Sequence, residues 1–174
     1  MPLFLDACAL AKRYLHEGRS SSRMQTITGR PKRWGGLIVS SFIEIEVVSS
    51  IAKAAREYPN PFGRAEAIKD VPRTVDTFLR DYRSGVFTVI QASEDIHAAA
   101  IGELRDHPRH SIGAGDAIHL VTAIGVAADA RAPVVFATAD QGLYEAAMKH
   151  GLPVFNPNFE DESALQRKFD DSSL

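Results

Sequence analysis

A chain of 174 residues, 45% hydrophobic and 24% charged, has the length of one domain, and such a chain buries about 70% of its unfolded surface without needing staples. Its 12 Gly and 9 Pro beside nine Phe, four Tyr and one Trp exclude collagen-like and disordered classes, and the single Cys8 excludes an internal disulfide. The net charge of −2 hides an asymmetry: residues 1–90 hold 14 Lys/Arg against 9 Asp/Glu, residues 91–174 hold 6 against 13, which permits a basic surface beside an acidic centre.

No apolar run approaches the ~20 residues of a membrane span. The opening Met1-Pro2-Leu3-Phe4-Leu5-Asp6 lacks the basic start and long apolar stretch of a signal peptide. The expected setting is therefore a soluble protein of the reducing cytoplasm, with no membrane partner.

Leu3-Phe4-Leu5 is too short an apolar run for a helix and suits a buried strand. Ala7 to His16 reads as a helix, and Gly18 to Ser22 as a turn that starts a second helix towards Gly29. Arg30 to Gly36 is a basic loop holding the only Trp, Trp34. Leu37-Ile38-Val39 is the second strand, and Ser40 or Ser41 can cap a helix over Phe42–Arg56. Tyr58-Pro59-Asn60-Pro61 breaks it. Gly63 to Ser84 reads as helical, with Val75, Phe78, Leu79 and Tyr82 on one face and a break or restart expected at Pro72. Val86 to Ile90 is the clearest strand. Two Ala-rich helices, Glu94–Asp106 and Asp116–Ala128, flank the loop His107–Gly115. Val134–Thr138 is a strand, Gln141–His150 a helix and Leu152–Phe155 a last strand. The tail from Pro157 is acidic and carries only Leu165 and Phe169 as spaced apolar residues, the pattern of a weak helix or a disordered end.

Continuous apolar strands alternating with helices define an α/β domain, a three-layer α/β/α sandwich on a central parallel sheet. Ligands of such sheets sit at the carboxyl ends of the strands. Asp6 ends the first strand, Asp140 follows the strand Val134–Thr138, and Asp116 opens a helix. Each alone is a common helix cap. Together they form a group of carboxylates that raise one another's pKa unless a cation neutralises them. With no Cys or His cluster in support, an all-oxygen site suits a hard cation, Mg²⁺ or Mn²⁺, and phosphodiester chemistry.

Four segments in order resemble the PIN-domain family, and within it the VapC toxins of toxin–antitoxin pairs. They are Leu3–Lys12, Ser40–Lys53, Gly115–Ala123, and Phe136–Leu143 with Gly151–Pro157. The resemblance spans residues 3 to 157, so the expected organisation is a PIN-like nuclease domain over 1–157, with an extended helical segment at 58–84, and an acidic tail over 158–174. It implies that Asp6, Glu46, Asp116 and Asp140 hold the metal and carry catalysis. Glu44 competes with Glu46. Residues two apart on a helix point roughly 200° apart, so one of the two faces the site; periodicity leaves the choice open, and the family register favours Glu46. Thr138 resembles the hydroxyl residue before the last acid, positioned to orient a water or a carboxylate. Cys8 stands where the family often carries a hydroxyl.

The implied activity is a metal-dependent endoribonuclease, with a water activated for attack on RNA (a transfer RNA among the candidate substrates). The implied partners are a cognate antitoxin and a second copy in a homodimer. Arg13, Lys32 and Arg33 are candidates to hold the RNA backbone. The competing reading is a non-catalytic PIN module that binds RNA or protein. A phosphohydrolase using Asp6 as nucleophile would want a second Asp where Cys8 stands. Gly113-Ala114-Gly115 reads as a turn, His107 and His110 as loop residues without a metal role, and His119 as a packing residue or an orienter of Asp116.

Overall fold

The computed structural model describes residues 2–16, 18–57, 64–129 and 133–171. Strands β1 (Leu3–Leu5), β2 (Leu37–Ser40), β3 (Thr88–Ile90), β4 (Val135–Ala137) and β5 (Val154–Phe155) form one sheet in the order β3-β2-β1-β4-β5, with every neighbouring pair parallel. Helices α1 (Ala7–Ala11), α2 (Arg19–Thr28), α3 (Ile43–Glu57), α4 (Arg64–Arg83), α5 (Glu94–Asp106), α6 (Ala114–Asp129), α7 (Gln141–Lys149) and α8 (Glu162–Asp171) connect and cover it.

The pleat explains why the strands are apolar throughout. Leu3 and Leu5 face a core shared with Val135, Ala137, Leu37 and Val39 and with side chains of α1, α2, α3, α4 and α8. Phe4 points the other way, joining Ile38, Phe136 and Val154 under α6 and α7, with the Phe4 and Phe136 rings stacked 5.6 Å apart. Both faces of the sheet are therefore buried, which gives the three-layer α/β/α sandwich, and α5 packs on α6 at its flank. The strand order reverses beside β1: the chain runs outward to β2 and β3, then returns to pair β4 against the other side of β1. The crevice between β1 and β4 at their carboxyl ends is the switch point where such sheets bind ligands.

Several local expectations are revised. Helix α1 stops at Ala11 rather than His16, because Arg13 and Tyr14 turn towards α4. Arg13 Nη2 lies 3.0 Å from Asp81 Oδ2, Arg13 Nη1 donates to Thr28 Oγ1 at 2.9 Å, and the Tyr14 hydroxyl donates to Asp81 at 2.9 Å. Helix α4 runs through Pro72 without a break. Pro72 lies on the exposed side, while Val71, Val75, Phe78, Leu79 and Tyr82 dock the opposite side on the core, so packing outweighs the lost hydrogen bond. Tyr58–Pro61 and Gly63 lie outside the described residues. Strand β3 is confined to Thr88–Ile90 at the sheet edge, with Phe87 buried just before it.

The basic loop holds a short 3₁₀ turn, Pro31–Trp34, that buries Trp34 completely. Its indole N–H donates to the Ile27 carbonyl at 3.0 Å. In the tail, α8 is a helix that buries Leu165 and Phe169, the Phe169 ring lying 5.2 Å from Trp34. Among the described residues no helix is long and apolar enough to cross a membrane.

Candidate active site at the carboxyl edge of the sheet

Asp6 follows the last residue of the central strand and is 1% exposed. It caps α1, accepting the Ala9 N–H at 2.6 Å through Oδ1, while Oδ2 accepts the Thr138 hydroxyl at 2.6 Å. Thr138, just beyond β4, in turn accepts the Asp140 N–H at 3.0 Å. Its hydroxyl thus ties the ends of β1 and β4 together across the crevice. Asp140 caps α7, accepting the Leu143 N–H at 2.8 Å. Asp116 lies in the first turn of α6 rather than opening it: it reaches back to the Gly113 N–H at 2.8 Å, the carboxylate half of a capping box.

The Glu44 and Glu46 pair is separated by a partner distant in sequence. Glu46 Oε2 takes a 2.5 Å hydrogen bond from His119 Nε2. The other ring nitrogen, Nδ1, lies 2.9 Å from the Ser40 hydroxyl. His119 is fully buried and orients Glu46 rather than Asp116. Glu44 lies on the other side, where its charge adds to the burial that raises the pKa of the Tyr82 phenol on α4. Gly115 leaves room for the Glu46 carboxylate: a Cβ there would overlap it and force the Glu46 side chain to move. Ser40 and Ser41, the cap candidates for α3, turn their hydroxyls elsewhere, Ser41 accepting the Ala92 N–H at 3.0 Å.

The electrostatics record how these groups feel one another. Burial pushes the Asp6 carboxyl from its ordinary 3.8 up to about 7, with Asp116 adding to the rise and Thr138, Ala9 and His119 opposing it. Asp116 is raised as well, first by burial and then by the charges of Asp140 and Glu46. The Cys8 thiol reaches solvent in part, yet desolvation and the charges of Asp6, Asp116, Asp140 and Glu46 push its pKa upward. It stays a thiol at neutral pH and is no nucleophile. All four acids thus act on one neighbourhood.

They are not drawn tightly together. Among the described residues the group of three or more ligand-type side chains with atoms within 4.8 Å of one another is Glu103, His107 and His150. Each of the four acids is instead held by its own hydrogen bond, three from backbone N–H groups at helix starts and one from His119. This donor set is all oxygen and net negative. It fits a hard divalent cation that keeps part of its water shell, with Asp6, Glu46, Asp116 and Asp140 as the residues to hold it.

The remaining expected contacts fall elsewhere. The Arg13 guanidinium is engaged with Asp81 and Thr28. Arg33 pairs with Glu162, reaches Gln166 and lies over Trp34. Lys32 and Arg33 precede β2 and so lie at the amino edge of the sheet, opposite the carboxylates. The shallow cleft lined by Arg30, Arg33, Glu162, Ser163 and Gln166 is also there. In the sequence His107 and His110 read as residues with no metal role, and Glu103 and His150 are unconsidered; the fold brings Glu103, His107 and His150 together.

No family model matches the chain, and no curated protein matches it. Among solved structures it is similar to FitAcB from Neisseria gonorrhoeae, at 16% sequence identity and a TM-score of 0.56, over 91% of this chain and 99% of that one. At that identity the likeness is one of fold: the two share the sandwich on a parallel sheet.

Proposed function

We propose that the chain is a divalent-metal-dependent endoribonuclease of PIN-domain type, a VapC-like toxin of a toxin–antitoxin pair acting in the cytoplasm. The observation that carries the reading is that Asp6, Glu46, Asp116 and Asp140 act electrostatically on one neighbourhood at the carboxyl edge of the sheet, with Asp6 buried at the end of the central strand. The fold shared with FitAcB supports it, as do the four ordered segments that resemble the PIN family. Residues 1–157 form the nuclease unit in this reading, and the segment beyond it packs over Trp34 through α8. The partners are RNA, with transfer RNA among the candidates, an antitoxin and a second copy of the chain.

A bound Mg²⁺ or Mn²⁺ supplies positive charge for a phosphodiester and its attacking water. The chain's own residues prepare the place. Thr138 fixes the rotamer of Asp6 and the approach of Asp140, and the Ser40–His119–Glu46 relay aims Glu46 from the neighbouring strand. The alternative of a PIN module that binds RNA or protein without cutting it is favoured by the spacing of the acids, each satisfied by a bond of its own.

The test is cleavage of a mixed cellular RNA pool with Mg²⁺, Mn²⁺ or EDTA, beside Asp116→Asn. Cleavage that needs the cation and disappears in the variant is the expected result. A wild type that binds Mn²⁺ and RNA and cuts nothing overturns the nuclease reading in favour of the binding module.

A further inference from the structure

Glu103 lies in the last turn of α5 with its side chain 5% exposed, and three imidazoles surround it. His110 Nδ1 donates to Oε1 at 2.8 Å, His150 Nε2 donates to Oε2 at 2.9 Å, and His107 Nε2 faces the same Oε2 at 3.9 Å. The rings pack on one another, with centroids of His107 and His110 5.0 Å apart and of His107 and His150 5.6 Å apart. His107 is the C-cap of α5 and His150 the C-cap of α7, where the negative ends of two helix dipoles favour a cation. His107 and His150 keep 48% and 27% of their side chains exposed, which leaves an entry path from solvent.

From this arrangement we propose that Glu103, His107 and His150 form a site for a borderline transition cation such as Zn²⁺, distinct from the carboxylate site and independent of the nuclease reading. One ligand atom from each lies within 4.8 Å of the others. In a tetrahedral zinc site with bonds of about 2.1 Å, ligand atoms sit about 3.4 Å apart. The present Nε2 to Oε2 separations of 2.9 and 3.9 Å straddle that value, and binding would displace the proton that His150 Nε2 shares with Oε2, to Nδ1 or to solvent. Imidazole nitrogens beside one carboxylate select zinc-like ions over Mg²⁺. His110 is the positioning residue: its bond to Oε1 leaves Oε2 turned to the cation, the outer support that metal ligands ordinarily have. A cation here would clamp the ends of α5 and α7. It would also pin the start of the loop that leads from His107 to Gly113 and Asp116.

The experiment uses the full chain and Co²⁺ as a spectroscopic stand-in for Zn²⁺. A four-coordinate Co²⁺ with nitrogen ligands absorbs strongly in the visible, whereas an all-oxygen octahedral site absorbs weakly. The expected result is a strong band that Zn²⁺ abolishes and Mg²⁺ leaves in place. His107→Gln and His150→Gln should remove it, Asp116→Asn should retain it, and His110→Ala should weaken Co²⁺ binding by about 10–100-fold. Because His107 is half exposed, His107→Gln serves as the variant that keeps the fold, checked by circular dichroism. The absence of a strong band in the wild type overturns the proposal. So does a band that survives His107→Gln and is lost in Asp116→Asn.

Discussion

Asp6 and Glu103 are both buried carboxylates, 1% and 7% exposed, yet their surroundings drive them in opposite directions. Asp6 ends a strand among other acids and is pushed up to about 7 by burial, with Asp116 adding to the rise. Burial also works to raise Glu103, but hydrogen bonds from His110 and His150 outweigh it and hold that carboxyl below its ordinary value. A carboxylate given imidazole donors is at rest in the folded chain. One buried at the end of a strand has its ionised form disfavoured chiefly by desolvation, and a neighbouring carboxylate adds to that cost.

The largest expected effect concerns Asp6. Its folded pKa is raised, so its contribution to stability is present below 3.8 and is lost as pH rises through about 7. The span corresponds to on the order of 4 kcal/mol against the metal-free protein above neutrality. Asp6→Asn should therefore raise the melting temperature of metal-free protein at pH 8 and give no gain at pH 4, while Mg²⁺ stabilises the wild type alone. A variant that melts below the wild type at pH 8 would break the comparison.

A smaller effect is expected at Thr138. Removing its hydroxyl takes away the strongest influence holding Asp6 down, so Thr138→Val should move the acid limb of the cleavage profile to higher pH. It should also cost about 10–100-fold in activity, with Thr138→Ser close to wild type. An unshifted profile in the Val variant would remove Thr138 from the site. At Glu103 the sign reverses. Its lowered pKa means its contribution is present above 4.5 and lost as pH falls. Glu103→Gln should destabilise the protein by about 1–3 kcal/mol at neutral pH, and urea unfolding should show the deficit narrowing in acid. Equal stability at neutral pH would show that the histidines add nothing to Glu103.

Much of the fold was legible because strands covered on both faces are apolar without alternation, and Leu3-Phe4-Leu5 and Val135-Phe136-Ala137 say so locally. What failed was set by tertiary pull. Helix α1 ends early because Arg13 and Tyr14 find Asp81, 68 and 67 residues away, and α4 overrides Pro72 because its other face is docked. In the site, Asp6 and Asp140 stood out by adjoining strands, and Thr138 only through the motif resemblance. The register of Glu44 and Glu46 did not, since what distinguishes them is His119, 73 residues from Glu46. The histidine group was least legible of all: His150 reaches Glu103 across 47 residues, and no local pattern encodes that meeting.

The pairing of the first strand with the fourth sets a schedule for synthesis. Residues 3–5 leave the ribosome well before their partners at 135–137 and the Thr138 hydroxyl, 132 residues beyond Asp6. Nascent β1 waits with one side unpaired, and loop closure over so long a span is slow. At about 5–20 residues per second of translation, Asp6 spends several seconds without its partner across the crevice. A nascent chain that has not yet reached β4 therefore lacks both the strand that flanks β1 and the hydroxyl that holds Asp6.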